Sequence, residues 1–260
     1  MRVPVVQHTT RRQRARRRRA LWTGGELLVT AGLVLLLLVV HQLWWTNREA
    51  RRGAERKVEA LEREWGGGAT GKGGESGDSG TSDPAATPQP RTGTRDSHRT
   101  ATAGQPRPSW SQAYAVLIIP RLGLRVPVAE GVSKQDVLNK GYVGHYRGTG
   151  QPGQAGNFAL AGHRNTHGEP FRYINRLRAK DLVEVETRTA TYTYAVDRTL
   201  PQTSARDSGV VRPVPRSIVE PRYGYSEPGY YITLTTCTPE YTSRYRLVVW
   251  GKLVSMRPRS

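Results

Sequence analysis

Residues 233–246 read TLTTCTPEYTSRYR, and Cys237 is the one cysteine in 260 residues, with Arg244 and Arg246 shortly downstream. A thiol beside a cation is more often thiolate, the reactive form. A guanidinium in that position can also stabilise an oxyanion on an attacked carbonyl, and a histidine from elsewhere in the fold would complete a nucleophile and acid/base pair. If residues 231–237 form a strand, alternation places Thr233, Thr235 and Cys237 on one face and Ile232, Leu234 and Thr236 on the other. Pro239 cannot continue an interior ladder, so Cys237 stands at or beside the strand's end, at the rim of the sheet. The chain then turns and returns as YRLVVWGKLV, bringing arginine back towards the thiol. Arg244 and Arg246 lie two apart and share a face, so alternation does not choose between them. The bland alternative is a buried, inert cysteine behaving as a small hydrophobe.

Two other patterns carry less. His163 and His167 in GHRNTHGEP have the i, i+4 spacing of a zinc-binding helix. Arg164 replaces the glutamate that would act as base, and Gly162, Gly168 and Pro170 oppose a helix, so no metal is expected. His163 is left at the exit of the apolar segment NFALAGH, facing a barrel mouth. Gly148, Gly150 and Gly153 match G-x-G-x-x-G, but Pro152 and a following strand-like run point to a loop instead of a dinucleotide site.

The elements that must position these groups fall in the second half. AVLIIPRL, LRVPVAE, NFALAGH, DLVEVETRT, ATYTYAVDRT, YYITLTTC and YRLVVWGKLV are short and rich in β-branched and aromatic residues, with Gly and Pro between them. Seven or eight strands and two short helix candidates, SKQDVLNKG and EPFRYINRL, predict an all-β barrel or sandwich over residues 109–256. The first half is organised differently. Residues 1–20 carry eight arginines and no acid and form a basic cytoplasmic tip. The apolar run within 21–45, ending at Trp44 and Trp45, is long enough to cross a bilayer in about 20 residues, with tryptophans where an interfacial belt would stand. By the positive-inside rule the N-terminus stays cytoplasmic and the rest is exported, single-pass and without a cleavage site. Residues 46–65 have helical spacing at Val58, Leu61 and Trp65 and predict a stalk or short coiled-coil seam. Residues 66–108, poor in large apolar side chains, predict a disordered tether spanning roughly 35 to 40 Å.

The net charge of +19 would ordinarily raise nucleic-acid binding. It divides into the cationic tip and a moderately basic domain, which fits a membrane anchor better, and no nucleic-acid partner is expected. Export also leaves a single cysteine with no internal disulfide to form.

In combination, T-L-x-T-C, an arginine nine residues on, and an upstream strand ending A-G-H-R followed by P-F resemble the sortases, membrane-anchored cysteine transpeptidases of Gram-positive bacteria. The resemblance covers most of residues 112–254. It implies a closed eight-stranded barrel with one or two short helices, Cys237 as nucleophile, His163 as acid/base partner and Arg246, in preference to Arg244, as the substrate-positioning or oxyanion-stabilising group. It further implies cleavage of a C-terminal sorting signal on surface proteins between Thr and Gly, and transfer to a peptidoglycan-precursor amine, with no cofactor. TLTTCTP and the long tether resemble the class E housekeeping sortases of actinobacteria, which prefer LAXTG signals. Tyr146 and Thr236 are the corresponding candidates for the signal pocket. Where family members often have Gly-Asp before the central strand, this chain has Lys180-Asp181. Asp83-Pro84 followed by alanine disfavours a pilin-polymerising member. Two rivals stay open at this level: an exported L,D-transpeptidase-like or other cysteine hydrolase, for which S-x-G-C is lacking, and a non-catalytic basic cell-wall or nucleic-acid binder.

Overall fold

The computed structural model describes residues 8–66 and 108–259, with side chains from residue 21 onward; the predicted tether lies outside the described residues. Eight strands close into a barrel: β1 (Ala113–Ile119), β2 (Leu124–Glu130), β3 (Val143–His145), β4 (Gly156–Ala161), β5 (Leu182–Thr187), β6 (Ala190–Ser204), β7 (Tyr230–Thr238) and β8 (Tyr245–Pro258). Their order around the wall is β1-β2-β3-β4-β7-β8-β6-β5, with β5 pairing back to β1. Most pairs are antiparallel, but β2 with β3 and β4 with β7 are parallel.

Alternation fills the interior. Leu117, Val128, Phe158, Leu160, Ile232 and Leu234 belong to one buried cluster that also takes in Leu247 and Val249. Each such side chain contributes about 1.5–3 kcal/mol on burial. A second cluster lies outside the β7–β8 wall, where Tyr231, Val248 and the fully buried Trp250 pack against Leu200, Val210 and Tyr225. β7 is therefore covered on both faces, which explains why it reads as a near-continuous buried run.

The two helix candidates shorten to 3-10 turns at Leu138–Lys140 and Ile174–Arg176. In the first, Gly141 in the left-handed region closes the turn with its N–H on Leu138 O, stopping propagation after one turn. β3, three residues long, was absent from the sequence reading because no periodicity exists over so short a span. The glycines 148–153 form a loop, as expected: Gly153 has φ +75°, and a Cβ there would stand 2.1 Å from the Tyr192 ring. Lys180 takes φ +75°, the conformation a glycine would adopt without steric cost, so this turn holds a strained residue.

The predicted anchor and stalk are one continuous helix, α1 (His8–Gly66). Its Leu21–Trp45 portion is apolar, long enough to cross a membrane and not buried against the rest of the chain. Further on, Ala50, Ala54, Val58 and Leu61 form a buried stripe, the latter two packing with Val116, Ala129 and Val137 of the barrel flank. The spacing seen at Val58 and Leu61 thus serves barrel packing.

A polar brace crosses the barrel near β3. His145, 1% exposed, lies 2.8 Å from Glu130 Oε2 and 2.9 Å from Tyr114 OH through Nδ1, and 3.1 Å from Gly150 O through Nε2. Paired this way, buried polar groups avoid the desolvation cost of standing alone.

Candidate active site

β7 is the element on which the site is built. Across the antiparallel ladder its Cys237 is directly opposite Arg246 of β8, and directly opposed residues project to the same face. On the other side, β4 runs parallel to β7 with Ala161 beside Thr235. Two residues further along each chain stand His163 and Cys237, so the histidine leaves β4 next to the thiol. With Ile232 and Leu234 pointing into the core, the odd-numbered β7 residues and Cys237 face outward, so the site lies on the outer wall at the strand ends. His163 accordingly faces this outer cleft and not the barrel mouth.

Cys237, His163 and Arg246 all line one cavity of about 820 Å³. Among the described residues no hydrogen bond joins the thiol and the imidazole. His163 Nε2 is 2.9 Å from Asn139 Oδ1; with that oxygen as acceptor, Nε2 carries the proton and Nδ1 is the basic nitrogen. Burial pushes the His163 pKa down to about 4, helped by the neighbouring His167 and by Lys134. The ring is therefore neutral at pH 7 in the free protein. His163 and His167 stack at 5.3 Å between ring centroids, in backbone that includes a left-handed His167; the i, i+4 spacing arises from a turn and not from a helix.

The two arginines differ in position. Arg246 lines the cavity, its guanidinium held by the carbonyls of Ser243 at 2.8 Å and Tyr245 at 3.0 Å. Arg244 lies before β8 begins and packs over the Tyr245 ring at 5.2 Å.

Tyr146 and Thr236 do not line this cavity. Thr235 donates to Leu160 O at 3.0 Å, so Tyr146 OH, 3.2 Å away, is placed to donate to the Thr235 hydroxyl. Thr236 is buried and donates to Gly162 O at 2.8 Å. Its hydroxyl ties β7 to the residue preceding His163.

Two residues were missed from sequence. Asn139 holds the imidazole from the 3-10 turn Leu138–Lys140, 24 residues upstream, with no local signal. Arg164 is 7% exposed and donates through Nη1 to Cys237 O at 3.2 Å and Thr238 Oγ1 at 2.8 Å. In the sequence it stood as the residue that spoils a zinc motif and as the last letter of A-G-H-R, with no role of its own. Its neighbour His163 was the available clue: successive residues leaving a strand diverge, one to the cleft and one inward to brace the backbone of Cys237.

A family model described as the sortase domain matches residues 117–254. Sortase SrtE1 of Streptomyces coelicolor is 42% identical over 224 residues, covering 84% of this chain and 53% of that protein. Sortase SrtE2 of the same organism is 33% identical over 217 residues, 82% of this chain and 73% of the relative. The chain thus spans about half the length of the first of these relatives. Among solved structures, sortase E1 from Streptomyces coelicolor with a tripeptide in the active site shares 52% identity, with a TM-score of 0.54 over 57% of this chain and 92% of that one. Sortase E from Streptomyces avermitilis shares 41% identity at a TM-score of 0.51, over 58% and 93%.

Proposed function

The chain belongs to the sortase family, and from that premise we propose that it is a membrane-anchored cysteine transpeptidase that cleaves an LPXTG-like, more specifically LAXTG, sorting signal between Thr and Gly. The observation that carries this reading is the convergence of Cys237, His163 and Arg246 on one cavity from three neighbouring strands.

Each step can be assigned to this chain's groups. The neutral His163 accepts the thiol proton at Nδ1, and the thiolate attacks the threonine carbonyl carbon. Arg246, immobilised by two backbone carbonyls, stabilises the oxyanion without needing to reorganise. Collapse breaks the Thr–Gly C–N bond, and the imidazolium returns its proton to the departing glycine amine, leaving a thioester on Cys237. A peptidoglycan-precursor amine then attacks the thioester, gives its proton to His163 and carries the surface protein to the cell wall as Cys237 regains its thiol.

The same reading places α1 across the cell membrane with its basic end cytoplasmic and the barrel outside, residues 109–256 forming the catalytic domain. The test is incubation of the full chain in detergent with an LAXTG peptide and an amine acceptor. The expected result is a thioacyl adduct on Cys237 by mass spectrometry and a transpeptidation product; cleavage that persists in Cys237→Ala would sink the mechanism.

A further inference from the structure

The cavity that holds the nucleophile has a wall that the barrel does not supply. Leu43, Thr46 and Asn47 of α1 line it together with Cys237. The same stretch is bolted to the loop that follows His163. Asn47 Nδ2 donates to Glu169 Oε1 at 2.9 Å, and Gly168 N donates to Asn47 Oδ1 at 3.4 Å. Arg51 donates through Nε to Gly168 O at 3.1 Å and pairs through Nη2 with Glu169 Oε2 at 3.1 Å. Glu169 in turn accepts from Arg172 at 2.7 Å, and Arg172 reaches Tyr241 OH at 3.2 Å in the β7–β8 loop. One carboxylate, 6% exposed, therefore joins α1 to both loops that flank the thiol.

The joint is shaped for close approach. A Cβ on Gly141 would stand 2.7 Å from Ala50 O, and one on Gly168 would stand 3.3 Å from Arg51 Cγ; both glycines have φ in the left-handed region. Such contacts require small residues on the barrel side, and Ala50 and Ala54 on the helix complete them. Trp44 and Trp45 end the apolar portion of α1. At 1.5 Å per residue, Trp45 and Arg51 are about 9 Å apart along the axis. If the tryptophans sit at the membrane interface, the cleft opens within about two helical turns of it.

We propose that the Leu43–Arg51 stretch of α1, clamped by Glu169, is a fixed wall of the substrate cleft that holds the nucleophile at the bilayer surface and selects peptides whose scissile bond lies just outside a membrane-embedded segment. Glu169, Asn47 and Arg51 are positioning residues for this selection. The proposal rests on the membrane-anchored transpeptidase reading above and sharpens it. A docked helix sets the height of the barrel directly.

The test uses the full chain in proteoliposomes. One recognition peptide is supplied free or joined, beyond its cleavage site, to an apolar bilayer-spanning segment. Wild type is compared with Asn47→Ala/Arg51→Ala, which keeps the anchor, so that the gain in local concentration from sharing a membrane is common to both. The ratio of kcat/KM for tethered over free peptide is expected to fall at least about fivefold in the double variant and to be restored within about twofold by Arg51→Lys on a wild-type Asn47 background. Because Cys237 is the sole thiol, the wall can also be read without turnover: the rate of alkylation by a bulky maleimide relative to iodoacetamide is expected to rise about threefold or more on undocking. An unchanged alkylation ratio would overturn the wall. A raised alkylation ratio with an unchanged tethered preference would overturn the selection. A raised alkylation ratio with no peptide cleavage by wild type would count against the transpeptidase reading while supporting the wall.

Discussion

Replacing Arg164 by alanine tests whether the brace behind the nucleophile matters as much as the groups in front of it. The guanidinium donates to Cys237 O at 3.2 Å and Thr238 Oγ1 at 2.8 Å in a nearly dry setting. Hydrogen bonds from a charged group contribute about 1.5–3 kcal/mol each. The contact with Glu240, 3.8 Å long and to a partly exposed carboxylate, adds less than about 1 kcal/mol. Working the other way, Arg164 Nε is buried with no partner, a desolvation cost of about 1–3 kcal/mol that the truncation removes. The hydrogen bonds win, for a net loss of about 2–3 kcal/mol. At about 2–4 °C per kcal/mol for a domain this size, the melting temperature should fall by about 4–12 °C. Release of the Cys237 carbonyl also lets the strand end drift, and misplacement by about 1 Å costs about 10²-fold, so kcat should fall about 10- to 100-fold with KM little changed. Arg164→Lys keeps the charge but cannot span both acceptors and should fall between. Thermal unfolding and steady-state kinetics decide the matter: a variant with wild-type Tm and wild-type kcat would refute the bracing argument.

Other perturbations separate the remaining roles. Arg246→Ala should lower kcat by about 10²–10³-fold as an oxyanion partner is lost, whereas Arg244→Ala should stay within about twofold; equal effects in a cleavage assay would show that the cavity assignment is wrong. Because burial lowers the His163 pKa to about 4 from 6.5, the unfolded chain binds the extra proton between those values, so stability is fully present above about pH 6.5 and declines as pH falls towards 4. His145, lowered by burial as well, adds the same sign in every variant. His163→Gln should therefore flatten, without abolishing, the fall in Tm over that window, and an unchanged slope would contradict the burial of the ring. His145→Ala takes from Glu130 its hydrogen-bond partner inside the barrel and should cost about 1–3 kcal/mol in denaturant unfolding, an effect on folding alone that leaves the alkylation rate of Cys237 in the folded fraction unchanged.

How much of this was legible beforehand differs by element. Strands with six or more residues announce themselves through β-branched and aromatic runs bounded by Gly and Pro, and β4, β7 and β8 were found that way. β3 was invisible because three residues carry no period, and the two helix candidates failed because a glycine stopped one after a single 3-10 turn. α1 was read as an anchor with a helical stalk or coiled-coil seam after it; helical spacing at Val58 and Leu61 was visible, but its partner was not, since a buried stripe looks the same whether it meets another helix or a barrel.

For the site, local pattern determined that Cys237 ends a strand, that His163 leaves one and that arginines return near the thiol, because alternation and proline act over a few residues. That β4 lies parallel beside β7 is a matter of barrel closure, and this pairing alone brings residues 163 and 237 together from 74 positions apart. Closure likewise turned the cleft to the outer wall, set Arg246 and not Arg244 along the cavity, and brought in Asn139, Arg164 and Glu169, whose contacts span distances along the chain at which no periodicity survives.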